Sequence, residues 1–448
     1  MNRKIIALCA VAIALTASAD ETVSGTWSLQ QCIDYAMDHS LQLRQKQVTV
    51  DRNEVQVEAR KGALFPSLSF ATNQSASWRP WSEAYYNLSD GNLNSTSSEV
   101  NYNGSYGLSA NWTVWDGGRN RKQLKKSRLA KEQSEVDIES TRLSLQEQIV
   151  QIYVQILYQT EAVRVNREIL ANTRIQADRA KAMYEVGNMS RADYAQMEAQ
   201  VSQEEYNVTN AETQLASFKL QLKQLLEIVD SPDFDVAVPE INPDNVLAIL
   251  PTPADVYDMA LNTRPELRYY RLGIESAEMD IDIAKRGYYP TLGMSAGINT
   301  SNMSGLDKSF GTQLKTNLNN NIGLSISIPI FDQKQNKTNV ATARLARESA
   351  QIELELEEKQ LRSDIETYWL NAVNAQQQFR NATTSVESMR TSYDLVSEQF
   401  AVGLKDIVDL QTGKNNLIQA EQQMLQAKYT AVLNRALLLF YQGSPLTL

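Results

Sequence analysis

The feature that most constrains this 448-residue chain is that it contains itself twice. A shift of 224 pairs Ala36 with Ala260, Leu43 with Leu267, Arg44 with Arg268, Phe65 with Tyr289 and Pro66 with Pro290. Farther along the shift is 216, pairing Asp116 with Asp332, Arg128-Leu129-Ala130 with Arg344-Leu345-Ala346, and Val186-Gly187 with Val402-Gly403. The eight-residue difference falls between Pro66 and Asp116, in a stretch rich in Ser, Asn, Tyr and Trp that reads as a longer loop. Isolated identities of this kind arise by chance, but these fall on the proline, aspartate and glycine that punctuate segment ends. A repeat at this scale dictates the whole fold. It divides the chain into a first repeat at 20–228, a linker at 229–250 holding Asp230, Pro232, Asp233, Pro239 and Pro243, and a second repeat with its C-terminal tail at 251–448.

Residues 1–19 read as a signal peptide: Arg3 and Lys4, an apolar run from Ile5 to Leu15, then Ala17-Ser18-Ala19. Cys9 lies within that leader, so Cys32 is the sole cysteine expected after cleavage, and it reads as packing on an amphipathic helix. One cysteine cannot form an internal disulfide. With His39 the only histidine, read as an exposed turn residue, no cluster has metal-ligand spacing, and no cofactor is expected. Formal charge is −10, from 43 basic and 53 acidic residues, and −12 once Arg3 and Lys4 leave, which argues against nucleic acid as a partner. Beyond the leader no apolar run reaches the roughly 18 residues of a membrane-spanning helix. A chain like this crosses a membrane with strands or not at all.

Strands of the right kind are present. Tyr106, Leu108, Ala110, Trp112 and Val114 alternate with Gly107, Ser109, Asn111, Thr113 and Trp115. In the second copy Ile322, Leu324, Ile326, Ile328 and Ile330 alternate with Gly323, Ser325, Ser327 and Pro329. The strands after Pro66 and Pro290 follow the same rule, so each copy supplies one hairpin. A half-buried sheet on a soluble core gives the same alternation. Small polar residues opposite the apolar face, with Phe65, Tyr289, Trp115 and Phe331 where strands meet helices, fit instead a water-filled lumen and an interfacial aromatic girdle. Four strands cannot close a barrel, so several chains must pool them.

From Arg119 to Glu227 the only glycine is Gly187 and there is no proline, which predicts a helix of about 100 Å at ~1.5 Å per residue before that glycine. Leu129, Val136, Leu143, Val150 and Leu157 recur every seven residues, and Ile418, Leu425, Tyr429, Val432, Ala436 and Leu439 trace a second coiled-coil seam. Gly187 and Gly403 end the long helices, and a shorter helix returns after each. Seams alone fit a soluble coiled-coil spacer of the periplasm, which is the alternative reading. The strands argue against it.

With two copies of helix, strand pair, long helix, glycine turn and returning helix, the chain resembles the TolC-like outer membrane factor family. Its local marks are Tyr184-Glu185-Val186-Gly187 followed by Asp193, and Phe400-Ala401-Val402-Gly403 followed by Asp409. The resemblance implies a mainly α fold with transmembrane β: duplicated long antiparallel coiled-coil hairpins and four strands per chain, assembled as a homotrimer with a twelve-stranded barrel and an α-helical tunnel. It implies an outer-membrane channel of a tripartite efflux or type I secretion system, set in outer-membrane lipid. A periplasmic adaptor and an inner-membrane pump would dock at tips formed by Val186, Gly187, Val402 and Gly403. It also places a gate at Asp193, Phe400, Lys405 and Asp409, where the family has a bonding carboxylate, a tyrosine, an arginine and a ring aspartate. Phe400 lacks the hydroxyl, Lys405 replaces the arginine, and Thr412 stands where a second ring acid is expected. The expected latch is therefore an Asp193 to Lys405 pair. Helix capping accounts for the same carboxylates, since Ser190 and Asp406 each precede an aspartate by three residues. Catalysis has no support: there is no phosphate-cradling glycine loop and no nucleophile elbow, and the histidine has no identifiable partner.

Overall fold

The computed structural model describes residues 25–78, 85–89, 92–96, 100–229, 234–239, 241–306 and 308–448. The expected signal peptide lies outside them. In the first copy β1 (Gly25–Trp27) leads to α1 (Leu29–His39), α2 (Leu41–Gly62), β2 (Ser67–Trp78), β3 (Tyr85–Ser89), β4 (Asn92–Thr96), β5 (Val100–Trp115), α3 (Arg119–Glu185) and α4 (Arg191–Leu225). After β6 (Phe234–Val236) and α5 (Pro243–Val246), the second copy runs α6 (Pro253–Thr263), α7 (Pro265–Lys285), β7 (Thr291–Met303), α8 (Phe310–Thr316), β8 (Asn319–Ser327), α9 (Gln335–Ala401) and α10 (Ile407–Tyr441).

The duplication is carried into the punctuation. α1 and α6 have 11 residues each, α3 and α9 have 67, and α4 and α10 have 35. Their first residues are 224 apart for the first pair and 216 apart for the others. Ser28 and Thr252, 224 apart, cap α1 and α6 with their hydroxyls. Asp116 and Asp332, 216 apart, accept the amides of Asn120 and Asn336 at 2.9 and 2.8 Å. At the turn into the long helix the copies differ: Gly117 and Gly118 have φ of +71 and +83°, and the second copy holds Gln333 and Lys334 there at +54 and +67°. The left-handed region is nearly free for glycine and costs other residues about 1 kcal/mol or more each.

The chain divides into two compact units that cut across the repeats. One comprises residues 46–138 and 265–357, the other residues 139–264 and 358–448 with the segment before residue 46. Each unit thus draws on both copies.

The first of these units holds a four-stranded antiparallel sheet in the order β2-β5-β7-β8. Its register sorts the side chains by chemistry. One face stacks Ile326 with Leu292 and Trp115; Leu324 with Met294 and Trp112; Ile322 with Ala296, Ala110 and Leu68; and Ile298 with Leu108 and Phe70. The other face stacks Gly323 with Ser295, Asn111 and Ser67, and Asn321 with Gly297, Ser109 and Ser69. No strand of the sheet contains a charged residue. The apolar face lies open: Phe70 is 67 % exposed and Ile322 80 %. On each residue's own merits that is not a surface for water.

The helices of this unit follow the same order as the strands. Lys46 of α2 reaches Asp137 of α3 at 2.6 Å, Lys126 of α3 reaches Asp280 of α7 at 2.6 Å, and Asn336 of α9 donates to Gly287 O, just past α7, at 2.8 Å. The layer is therefore α2-α3-α7-α9, with α2 and α9 at its edges.

The other unit is a helical bundle with a small cross-brace. β1 and β6 pair in parallel, Trp27 meets Tyr35 and Phe234 edge-on, and the Tyr153 hydroxyl donates to Ala237 O at 2.6 Å. Burial pushes that phenol up to about 12. The segment at 229–250, read above as a linker, thus carries β6 and α5, and Val246 is fully buried against Phe379, Ala431 and Val432. The predicted seams are largely inside: Val150 and Leu157 of α3 and Leu425, Tyr429, Val432 and Ala436 of α10 are buried here, and Val136 of α3 is buried in the sheet-bearing unit. Cys32 is buried as expected. His39, exposed near the helix break, stacks on Tyr35 with ring centroids 4.0 Å apart.

Candidate functional site

Both long helices end as the glycines predict. The Gly187 amide donates to Tyr184 O and the Asn188 amide to Met183 O, at 3.0 and 2.8 Å; Gly403 and Leu404 repeat this with Phe400 O and Gln399 O, at 3.0 and 2.9 Å. This is the Schellman closure, and it requires the positive φ of +80 and +77° at the two glycines. The turn throws apolar side chains outward: Val186 and Val402 are 71 and 70 % exposed.

Asp193 and Asp409 sit in the first turns of α4 and α10. The Ser190 hydroxyl accepts from the Asp193 amide at 3.1 Å and donates to the Asp193 carboxylate at 2.7 Å. Asp406 accepts from the Asp409 amide at 2.9 Å. Within the chain Lys405 pairs with Asp409 at 2.9 Å, which holds its ammonium above the usual lysine range. Within the single chain Asp193 is bonded to Ser190 and Lys405 to Asp409, each three or four residues away, and no Asp193–Lys405 ion pair is present among the described residues.

Phe400 is 3 % exposed and packs with Ala180, Met197, Ile407 and Leu410, joining the two hairpins through an apolar plug. The departure from tyrosine follows from that surrounding, which offers a hydroxyl little to bond. The first copy differs at the equivalent positions. Tyr184 stacks on Tyr194 at 5.5 Å, and the Arg191 guanidinium lies 5.8 and 5.3 Å from their rings.

A more consequential pair lies about one and a half turns past Asp409 on one helix and about three turns past Asp193 on the other. Glu204 of α4 and Lys414 of α10 are 3 and 8 % exposed at the side chain and bonded at 2.8 Å. The carboxylate also accepts from Gln200 at 2.6 Å and Asn207 at 3.0 Å, and the ammonium lies 3.5 Å from the Thr173 hydroxyl of α3. Burial alone would raise the Glu204 carboxyl, but Lys414 and the two amides outweigh it and hold it below the usual range. Burial pushes Lys414 down, only partly offset by Glu204. Gln196 donates to Gln411 at 2.9 Å and Gln176 to Ser397 at 2.9 Å, so α4 is tied to α10 and α3 to α9. Sequence reasoning missed this pair, although a signal was present. Ile407, Leu410, Lys414 and Glu421 follow seam spacing, as do Met197, Glu204 and Ala211, and a charge at a seam position demands a partner.

Two further ion pairs show the hairpins to be copies: Arg174 with Glu205, and Arg390 with Glu421, each 31 residues apart and offset by 216. Among the described residues no group of three His, Cys, Asp or Glu is placed to hold a metal.

Comparison with known proteins agrees with this architecture. The family described as Outer membrane efflux protein matches residues 32–226 and 256–444. The chain is 22 % identical to Outer membrane efflux protein BepC of Brucella suis biovar 1, over 84 % of this chain and 79 % of that one. It is 22 % identical to Toxin and drug export protein A of Aggregatibacter actinomycetemcomitans, over 90 and 83 %. The solved Campylobacter jejuni CmeC outer membrane channel superposes with a TM-score of 0.76 at 17 % identity, covering 94 % of this chain and 87 % of that one. Two matched halves, an uncharged strand set with one apolar face and duplicated glycine-turn hairpins place this chain in the outer membrane efflux protein family.

Proposed function

We propose that three copies of this chain form the exit duct of a tripartite efflux or type I secretion machine, carrying substrates from an inner-membrane pump through the periplasm and outer membrane. The observation that carries this reading is the pair of unsatisfied edges in the sheet-bearing unit. β2 and β8 end the sheet with unpaired backbone groups, and in the matching helical layer α2 exposes Val48 and Val55 while α9 exposes Leu345 and Ile352, all between 51 and 66 %. Both stripes have the seven-residue spacing of a coiled-coil seam. Two different edges on one chain make a head-to-tail interface, which closes as a ring when the rotation between copies is a third of a circle. Three chains of four strands give the twelve that such a barrel uses.

The hairpin tips are the docking points for a periplasmic adaptor, with Val186, Val402 and the flanking exposed Leu404 as its apolar footing. Asp193 and Asp409, in the first turns of their helices, together form the gate, with Lys405 shielding Asp409 and Phe400 keeping the two hairpins in register. Selectivity belongs to the pump, since the uncharged strands offer little to discriminate substrates.

Planar-bilayer recording tests this directly. The mature protein should insert as a trimer of small conductance, and an Asp193→Ala, Asp409→Ala variant should conduct more. Folded protein that never inserts, or a variant with unchanged conductance and ion preference, would remove the duct or the gate respectively.

A further inference from the structure

The strands meet the helices at one edge of the sheet: β2 starts at Ser67 and β7 at Thr291, where β5 ends at Trp115 and β8 at Ser327. The segments at this edge, residues 59–66, 116–128, 280–290 and 328–340, hold twelve Lys and Arg against four Asp, in a chain of net charge −10. At the opposite edge the described segment 308–318, between β7 and β8, holds two cations, Lys308 and Lys315. All four aspartates of the basic edge are engaged. Asp116 and Asp332 accept helix amides, and Asp280 and Asp282 pair with Lys126 and Lys122. Arg119, Arg121, Lys125, Lys285 and Lys334 remain exposed.

This collar adjoins the apolar face. A register shift after Thr113 brings Trp115 into the row of Leu292 and Ile326, Tyr289 meets Trp115 edge-on at 6.3 Å, and the Arg286 guanidinium lies 5.3 Å from the Tyr289 ring. Lys122, Lys285 and Arg286 all act on Asp282, so one carboxylate faces three cations. At the turn where the first copy relaxes with Gly118, the second keeps Lys334 in the left-handed region, retaining a charge at a conformational cost.

We propose that this basic collar binds the anionic headgroups of phospholipids in the leaflet on the helix side of the barrel. Trp115 and Tyr289 sit at the depth where aromatic rings mark the boundary of hydrocarbon and water. Arg286, beyond them, meets the phosphodiester layer, and Lys285 with the neighbouring α3 cations supplies the charge that separates anionic from zwitterionic lipid. The proposal rests on the outer-membrane placement and the pooled barrel proposed above, and not on the gate.

Full-length protein in detergent, titrated with phosphatidylglycerol or phosphatidylethanolamine, tests it by retained-lipid mass spectrometry and thermal unfolding. Phosphatidylglycerol should be retained selectively and raise the unfolding temperature, and salt should weaken both effects. A Lys285→Ser, Arg286→Ser variant should lose about fivefold in affinity per charge removed, and Arg286→Lys should lose less. A Lys308→Ser, Lys315→Ser variant, altered at the opposite edge, should bind as the parent does. Equal retention of both lipids, or unchanged binding by the first variant, overturns the proposal. So does an altered cation-to-anion permeability in that variant without altered lipid binding, since the collar would then face the lumen.

Discussion

Replacing Lys414 with methionine is the sharpest test of how the hairpins hold together. The substitution keeps most of the stem and strands the Glu204 carboxylate, 3 % exposed, with only Gln200 and Asn207 as donors. Breaking a buried pair from one side costs about 3–5 kcal/mol, so amide hydrogen exchange in α4 and α10 between Met197 and Leu425 should accelerate by between roughly a hundred and a few thousand times. The cost should depend on pH in a defined direction. With Lys414 present, Glu204 titrates below the usual carboxylate range, and the stability it contributes is present above the unfolded pKa and lost as pH falls through the folded one. Without Lys414, burial dominates and raises that pKa, so protonation relieves the penalty by up to ~1.4 kcal/mol per pH unit on going from pH 8 towards pH 5. The Glu204→Leu, Lys414→Met double variant, with no stranded charge, should exchange within about tenfold of the parent. A Lys414→Met protein whose exchange matches the parent at pH 8, or a double variant as fast as the single one, would refute the reasoning.

Ile322→Lys, on the apolar face, should weaken insertion into lipid by about 2–4 kcal/mol, whereas Asn321→Lys, on the adjacent polar face, should be tolerated; refolding titrations into vesicles read the difference. Gln333→Gly with Lys334→Gly should stabilise the turn into α9 by roughly 1 kcal/mol per residue, seen as slower exchange at Asn336 and Lys337. Burial pushes the Cys32 thiol up to about 12, so it should resist maleimide at pH 8 until the protein unfolds. Cysteines placed at Val55 and Ile352, across the proposed seam, should then give covalently linked trimers on an otherwise unreactive background; monomers under all spacer lengths would count against the seam.

Elements whose formation depends on local periodicity are legible in the order of residues along the chain. The 67-residue helices, the Schellman glycines and the facing of the sheet strands, apart from Trp115 beyond the register shift, follow from spacing, because a helix or strand face is set by neighbours within one turn or two residues. The capping of α4 and α10 by Ser190 and Asp406 is legible for the same reason. The partner of a charged side chain is not. Within the chain Lys405 pairs with Asp409 four residues on, and Glu204 found Lys414 across 210 residues of sequence. The sequence by itself determined the duplicated helices and sheet strands, the glycines and caps at the hairpin turns, and the apolar side of most of each strand. Only the tertiary structure decided that β6 and α5 brace the supposed linker, that strands and helices share one lateral order, and that a buried ion pair ties the hairpins. Those are distances between remote segments, set by packing, and no periodicity along the chain encodes them.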